Sequence, residues 1–296
     1  MSRWTDLFEP GAVVLDGGLS TQLQVRGADI AGPLWTGRAL LADPGIVEHA
    51  HQDFIHAGAD VIITASYQIS RRGFEQQGIG RGHADTALTM ATRVARSAAR
   101  ATHARVAASV GPYGAVLHDG SEYRGNYGLS RDELASFHAE RLEVLVSSEP
   151  DLLAIETIPD VHEAEAIGDA LATVDALPAW MSFSCKDEAH VCAGHRIEDA
   201  VAVAASIPSV MAVGINCTDP AHVAGLLERI AATTDLPVVV YANAGGTWDA
   251  ATGEWVGAFG HVSDHVEQWA RAGAVAIGGC CGTDARDIRL VAERLR

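Results

Sequence analysis

No apolar run in this chain approaches the roughly 20 residues needed to span a bilayer. The first ten residues, Met1 to Pro10, lack the apolar centre and small-residue cleavage pattern of a secretory leader. Basic residues are scarce as well: 21 Lys and Arg face 38 Asp and Glu, a formal net charge of −17. With no basic stripe to neutralise phosphates, nucleic acid is excluded as a partner, and the missing apolar span excludes a membrane one. No Pro-, Gly- or Ser-rich linker divides the chain, so residues 1–296 are expected to form one domain. Cysteine is sparse and odd in number, five in all, which does not fit a disulfide framework and points to free or metal-bound thiols in a reducing cytoplasm.

What is present is a recurring pattern. Eight short apolar runs, Ala12 to Leu15, Asp60 to Ile63, Arg105 to Val110, Asp151 to Ile155, Ala179 to Phe183, Val210 to Gly214, Pro237 to Tyr241 and Ala274 to Ile277, alternate with longer helix-like stretches. This is the pattern of parallel strands with helical crossovers. A single α/β domain of the (β/α)8 TIM-barrel kind, about 250 residues in its basic form, would use nearly the whole chain. An open doubly wound sheet is the alternative. The barrel is favoured because reactive residues follow strands far apart in sequence, and closure would bring them onto one rim. Ser130 and Glu133 form a capping-box pattern, and Thr283 or Asp284 is placed to cap the last helix. Two connections, Leu19 to Gly45 and Gly111 to Leu129, are long enough to act as walls or lids.

The residues after the strands carry the chemistry. Cys280 and Cys281 follow the last run directly, and Cys217 follows the sixth. Adjacent cysteines are poorly placed to pair with each other but can turn toward one metal ion. Three thiolates with no fourth protein ligand describe a Zn2+ site with one position open to substrate. The plain alternative is three small buried residues. A rival cluster, Cys185, His190, Cys192 and His195, has ligand-like chemistry without the spacing of a zinc knuckle.

Asp16 and Glu156 end their strands and would look into the same bowl, where carboxylates beside a thiolate-rich ion suit a substrate ammonium group. The N–H groups of Gly17 and Gly18 are placed to face a substrate carboxylate. Trp35, Tyr67, Tyr113, Tyr123 and Tyr127 offer aromatic faces in rim segments, able to hold an onium cation by cation–π attraction.

These residues fall in longer motifs: Leu15-Asp16-Gly17-Gly18, Thr64-Ala65-Ser66-Tyr67-Gln68, Gly111-Pro112-Tyr113-Gly114, Gly120-Ser121-Glu122-Tyr123-Arg124-Gly125, Glu156-Thr157, Gly214-Ile215-Asn216-Cys217 and Gly278-Gly279-Cys280-Cys281-Gly282. From Val14 to the C-terminus the sequence resembles the homocysteine S-methyltransferase family. The resemblance implies a barrel that binds zinc through Cys217, Cys280 and Cys281, takes the homocysteine thiol at the open position, and holds its amino-acid end with Asp16 and Glu156. Gly17, Gly18, Asn216, Trp35 and Tyr67 complete the expected substrate contacts.

The implied activity is methyl transfer from a sulfonium donor, S-methylmethionine or S-adenosylmethionine, to homocysteine, giving methionine. Betaine-using relatives carry an additional C-terminal segment and cobalamin enzymes carry further domains, so a chain ending in its last helix fits the sulfonium branch. Two positions depart from the family pattern: Gly246 stands where an acidic residue is usual, and Gln22 where Glu is common. The alternatives are a zinc-dependent barrel hydrolase and a non-catalytic zinc- or thiol-binding domain.

Overall fold

The computed structural model describes residues 13–30, 32, 34–175, 177–249 and 254–296. Ala12, and the segment on which the leader reading rests, lie outside them. The strands are β1 (Val13–Val14), β2 (Val61–Ile63), β3 (Arg105–Val110), β4 (Leu152–Ile158), β5 (Ala179–Phe183), β6 (Val210–Asn216), β7 (Val238–Ala242), β8 (Gly245–Asp249), β9 (Glu254–Phe259) and β10 (Ala274–Gly279). Eight of them form one parallel sheet in the order β1-β10-β7-β6-β5-β4-β3-β2. A parallel bridge from Leu15 to Val61 joins its two ends. Asp60 N–H donates to the Val14 carbonyl at 2.7 Å and Asp16 N–H to the Val61 carbonyl at 3.1 Å, so the sheet closes into a (β/α)8 barrel.

Side-chain alternation, the period of two inherent in a strand, sorts the core into two shells. Leu152, Ala154, Trp180, Ala212, Val239, Tyr241 and Ala276 pack together in the barrel interior. Their neighbours Leu153, Ile155, Met181, Val213, Ile215, Val240 and Ile277 join the larger core under the helices. Continued toward the C-terminal ends of the strands, the inward set reaches Ser109, Glu156, Ser182, Asn216, Tyr241 and Cys280. The interior is apolar where it is sealed and polar where it opens.

Helix termini follow the sequence signals. Ser130 and Glu133 make a reciprocal capping box at the helix Arg131–Ser147. Asp284 and Asp287 make another at Ala285–Leu295. Thr283 does not cap that helix; its hydroxyl donates to the Cys280 carbonyl at 2.7 Å and accepts from Gly18 N–H at 3.0 Å, tying the first βα loop to the last. The two long connections fold into short elements. Residues 19–45 contain the helices Leu19–Val25 and Trp35–Ala42, and residues 111–129 contain the helix Gly114–Leu117 and a 3-10 turn, Ser121–Tyr123. The strand pattern did not anticipate the antiparallel hairpin β8–β9, inserted between the seventh and eighth barrel strands. Gly246 lies in it.

Candidate metal centre and substrate pocket

At the C-terminal rim of the barrel, the thiols of Cys217, Cys280 and Cys281 offer ligand atoms all within 4.8 Å of one another. Cys217 Sγ lies 3.5 Å from Cys281 Sγ. Two thiolates on a tetrahedral zinc, each at about 2.3 Å, stand about 3.8 Å apart, so the spacing fits one ion.

Local backbone makes this possible. Cys217 takes a left-handed conformation, φ 47°, immediately after β6, an uncommon state for a residue with a Cβ. Its N–H is fixed by the Tyr241 carbonyl at 3.1 Å. Cys280 N–H is likewise fixed by the Ala242 carbonyl at 2.8 Å. A Cβ on Gly18 would stand 2.4 Å from the Cys280 carbonyl oxygen, so the first loop can lie against the Cys280-Cys281 loop only with glycine there.

Three thiols this close cannot all ionise unaided. Cys281 is drawn well below the usual thiol range by hydrogen bonds from Cys217 and Cys280. Cys280 is pushed well above it by its contacts with Cys217 and Cys281 and by burial. A divalent cation held among the three would stabilise their thiolates and release the protons that remain. Tyr123 places its Oη 3.1 Å from Cys217 Sγ. Burial first, then the charge at Cys217, holds this phenol well above its usual pKa, so it remains a neutral hydrogen-bonding group beside the sulfur.

The three cysteines form one wall of a pocket of about 690 Å³, counted with the solvent at its mouth. Asp16, Gly17, Gly18, Trp35, Tyr67 and Glu156 all line it. No Lys, Arg or His is among its described lining residues. Glu156 is pushed up to about 7 by burial, with the charge at Cys217 adding to the shift and hydrogen bonds from Ser109 and Tyr241 opposing it. Ser109 Oγ donates to Glu156 Oε1. Asp16 is raised by burial above all, against an Ile63 N–H bond of 2.8 Å and with Glu156 adding to the shift. Two carboxyls short of positive partners therefore face the cavity that holds the thiols.

Other expected contacts are placed differently. Asn216 is fully buried behind the pocket wall: Oδ1 accepts from Thr157 N–H at 2.7 Å and from Ser182 Oγ at 2.8 Å, while Nδ2 donates to Thr157 Oγ1 at 2.7 Å. It acts on the pocket through Thr157, which lines it and is itself left-handed, φ 61°. The Gly18 N–H is already bonded to the Thr283 carbonyl and hydroxyl, so of the two glycine amides only that of Gly17 remains for a substrate carboxylate.

Tyr113 and Tyr127 stand away from the pocket, packed on each other at 5.2 Å between ring centroids. Buried Glu163 accepts from Tyr113 N–H at 2.6 Å and Tyr127 Oη at 3.0 Å. Gln22 faces outward from the site and bridges Asp53 at 2.6 Å and Ala285 N–H at 3.0 Å, so its departure from the family pattern touches helix packing.

Cys185, His190, Cys192 and His195 are not gathered as a group among the described residues. His190 binds Asp187 instead, at 2.9 Å. The motif reading did not single out Ser109, Ser182 or Tyr241, although the inward alternation of β3, β5 and β7 points to each. Tyr241 Oη meets Ser182 Oγ at 2.7 Å and accepts from Trp180 Nε1 at 3.0 Å, completing a polar floor beneath Glu156.

A family model described as homocysteine S-methyltransferase matches residues 13–295. Homocysteine S-methyltransferase 2 from Zea mays is 41% identical, over 99% of this chain and 92% of its own. A selenocysteine Se-methyltransferase from Brassica oleracea is 39% identical, over 96% and 89%. The crystal structure of a homocysteine methyltransferase from Escherichia coli in its metallated form superposes with a TM-score of 0.88 at 36% identity, covering 98% of this chain and 99% of that one. With the three-thiol rim, the paired carboxyls and the closed barrel in agreement, the chain belongs to the homocysteine S-methyltransferase family.

Proposed function

We propose that this protein transfers a methyl group from a sulfonium donor, S-methylmethionine or S-adenosylmethionine, to the thiolate of homocysteine, using one zinc ion held by Cys217, Cys280 and Cys281. The carrying observation is the charge pattern of the pocket: three thiols and two carboxyls converge with no Lys, Arg or His among the described lining residues. Such a cavity favours cations, and the reaction brings three: the metal, the amino-acid ammonium and the sulfonium.

Bound zinc supplies a thiolate from the substrate thiol at neutral pH, and three cysteine ligands leave it electron-rich enough to keep that sulfur nucleophilic. The chain's own residues do the rest. Asp16 and Glu156 accept the ammonium, fixing the amino-acid end a side-chain length from the thiols. The Gly17 amide faces the carboxylate. Trp35, Tyr67 and Tyr123 present ring faces and edges where the sulfonium approaches, attracting its charge and excluding water. The acceptor sulfur attacks the methyl carbon, the donor's C–S bond breaks, and its electron pair returns to the donor sulfur. No proton moves at the methyl carbon, which agrees with a pocket that has no imidazole among its described lining residues. A hydrolase would need one, or a better Lewis acid than a three-thiolate zinc. The thiols require a reducing compartment such as the cytoplasm.

The test is methionine formation from homocysteine and S-methylmethionine by the reduced protein, with and without a zinc chelator. Chelator-sensitive product is expected. A fully zinc-loaded protein that forms no product with either sulfonium donor would overturn the proposal.

A further inference from the structure

The geometry points to a second metal site on the same rim, formed by Asp160, His162 and His195 and suited to a borderline divalent transition ion such as nickel or zinc. The ligand atoms of these three residues lie within 4.8 Å of one another, and no metal, substrate or cofactor role for the homocysteine reaction falls on them. His195 Nδ1 is buried and has no hydrogen-bond partner, an unusual state for an imidazole nitrogen. It stands 3.6 Å from Asp160 Oδ1. That is too long for a hydrogen bond, yet close to the roughly 3.3 Å that separates two ligands about 2.05 Å from one tetrahedral ion.

Asp160 is held in place by two backbone N–H groups, one from His162 within the cluster and one from Asn126 outside it. Oδ1 accepts from His162 N–H at 3.0 Å and Oδ2 from Asn126 N–H at 3.1 Å, leaving lone pairs on both oxygens while fixing the plane of the carboxylate. The His162 ring lies edge-on to His195 with centroids 5.3 Å apart and is open to solvent, so it can turn a nitrogen inward while water fills the remaining positions. Two imidazoles and one carboxylate select nickel, cobalt, copper or zinc over calcium or magnesium.

The location gives the site a consequence. Gly125 is wedged between Asp160 and Ala193, where an added Cβ would come within 3.1 Å and 2.9 Å of their side chains. The Asn126 bond anchors the same segment, which carries Tyr123 to Cys217. An ion on Asp160 and His195 would pin that wall of the pocket from behind.

The experiment uses untagged full-length protein carrying one zinc on its cysteines, titrated with nickel alone by calorimetry and followed by metal analysis. One further equivalent of nickel is expected with zinc retained. The His162→Ala/His195→Ala double variant should bind that equivalent more than about tenfold more weakly while still holding its zinc. No uptake beyond the first metal, uptake only as zinc is released, or equal uptake by the double variant would each overturn the site.

Discussion

Asn216 grips Thr157 at both ends of its own amide, at 2.7 Å to the backbone N–H and 2.7 Å to the hydroxyl. The pairing crosses from the end of β6 to the end of β4, where the register with β5 shifts between Ile155 and Ile158. One side chain, on the residue directly before Cys217, therefore also fixes the bulge that aims Glu156. Asn216→Ala should lower kcat/KM by roughly thirtyfold, since losing two buried hydrogen bonds at a left-handed residue costs on the order of 2 kcal/mol. Zinc content should stay near one per chain, because the Cys217 N–H remains bonded to Tyr241. Metal analysis beside steady-state kinetics separates the two effects.

Cys280→Ser is expected to abolish zinc binding and methyl transfer together while far-UV circular dichroism stays unchanged. The backbone at this position is carried by its bond to Ala242, which serine preserves. A serine at Cys192, which is outside the three-thiol group, should leave both properties intact.

Glu156 gives a pH signature. It must be ionised to hold an ammonium group, and burial has pushed it up to about 7, so affinity for the amino-acid end should fall as pH drops below that value. Methionine is the appropriate probe, since it has the ammonium without an ionising thiol. Calorimetric titrations between pH 5.5 and 8.5, a range of about 1.5 units either side of neutrality, should show the decline in the native protein and a flat, weaker response in Glu156→Gln. The stability sign is opposite: the folded pKa exceeds the unfolded one, so ionising this group lowers stability as pH rises from the ordinary glutamate range to about 7.

His51 gives a separate acid-stability test. It is fully buried on the helix Pro44–Ala57, neither ring nitrogen has a hydrogen-bond partner, and burial lowers its pKa to about 4. The unfolded chain takes up this proton more readily, so the stability contributed by the neutral ring is complete above pH ~6.5 and is lost as pH falls toward ~4. The loss amounts to on the order of 3 kcal/mol. Urea melts of His51→Leu across this range should be flatter than those of the native protein.

How much of this was legible in the chain depends on which force set each feature. The barrel strands were readable because each is an apolar run of the right length. β3 and β5 begin and end at the residues the pattern marks, Arg105–Val110 and Ala179–Phe183. The convergence of Cys217, Cys280 and Cys281 was readable because their motifs follow strands. Asn216 reads in the sequence as a direct substrate contact because a motif records adjacency, while its partners Thr157 and Ser182 lie 59 and 34 positions away. The Gly18 amide was assigned to substrate because its bond to Thr283 spans 265 positions. Tyr113 and Tyr127 have the composition of a cation cage, but Glu163, whose role no local pattern announces, draws them to the other side of the loop.

The order of strands in the sheet gives the three-thiol group a place in the life of the chain. β7 lies between β6 and β10, so the sulfur of Cys217 and those of Cys280 and Cys281 meet only across an intervening strand that is already in place. A chain that has emerged from the ribosome only as far as β9 carries Cys217 but neither Cys280 nor Cys281, and so lacks the three-thiol group. The three-thiol group is therefore completed late, with the threading of the last strand between β1 and β7, and any ion it took up would be held by a barrel that has already closed.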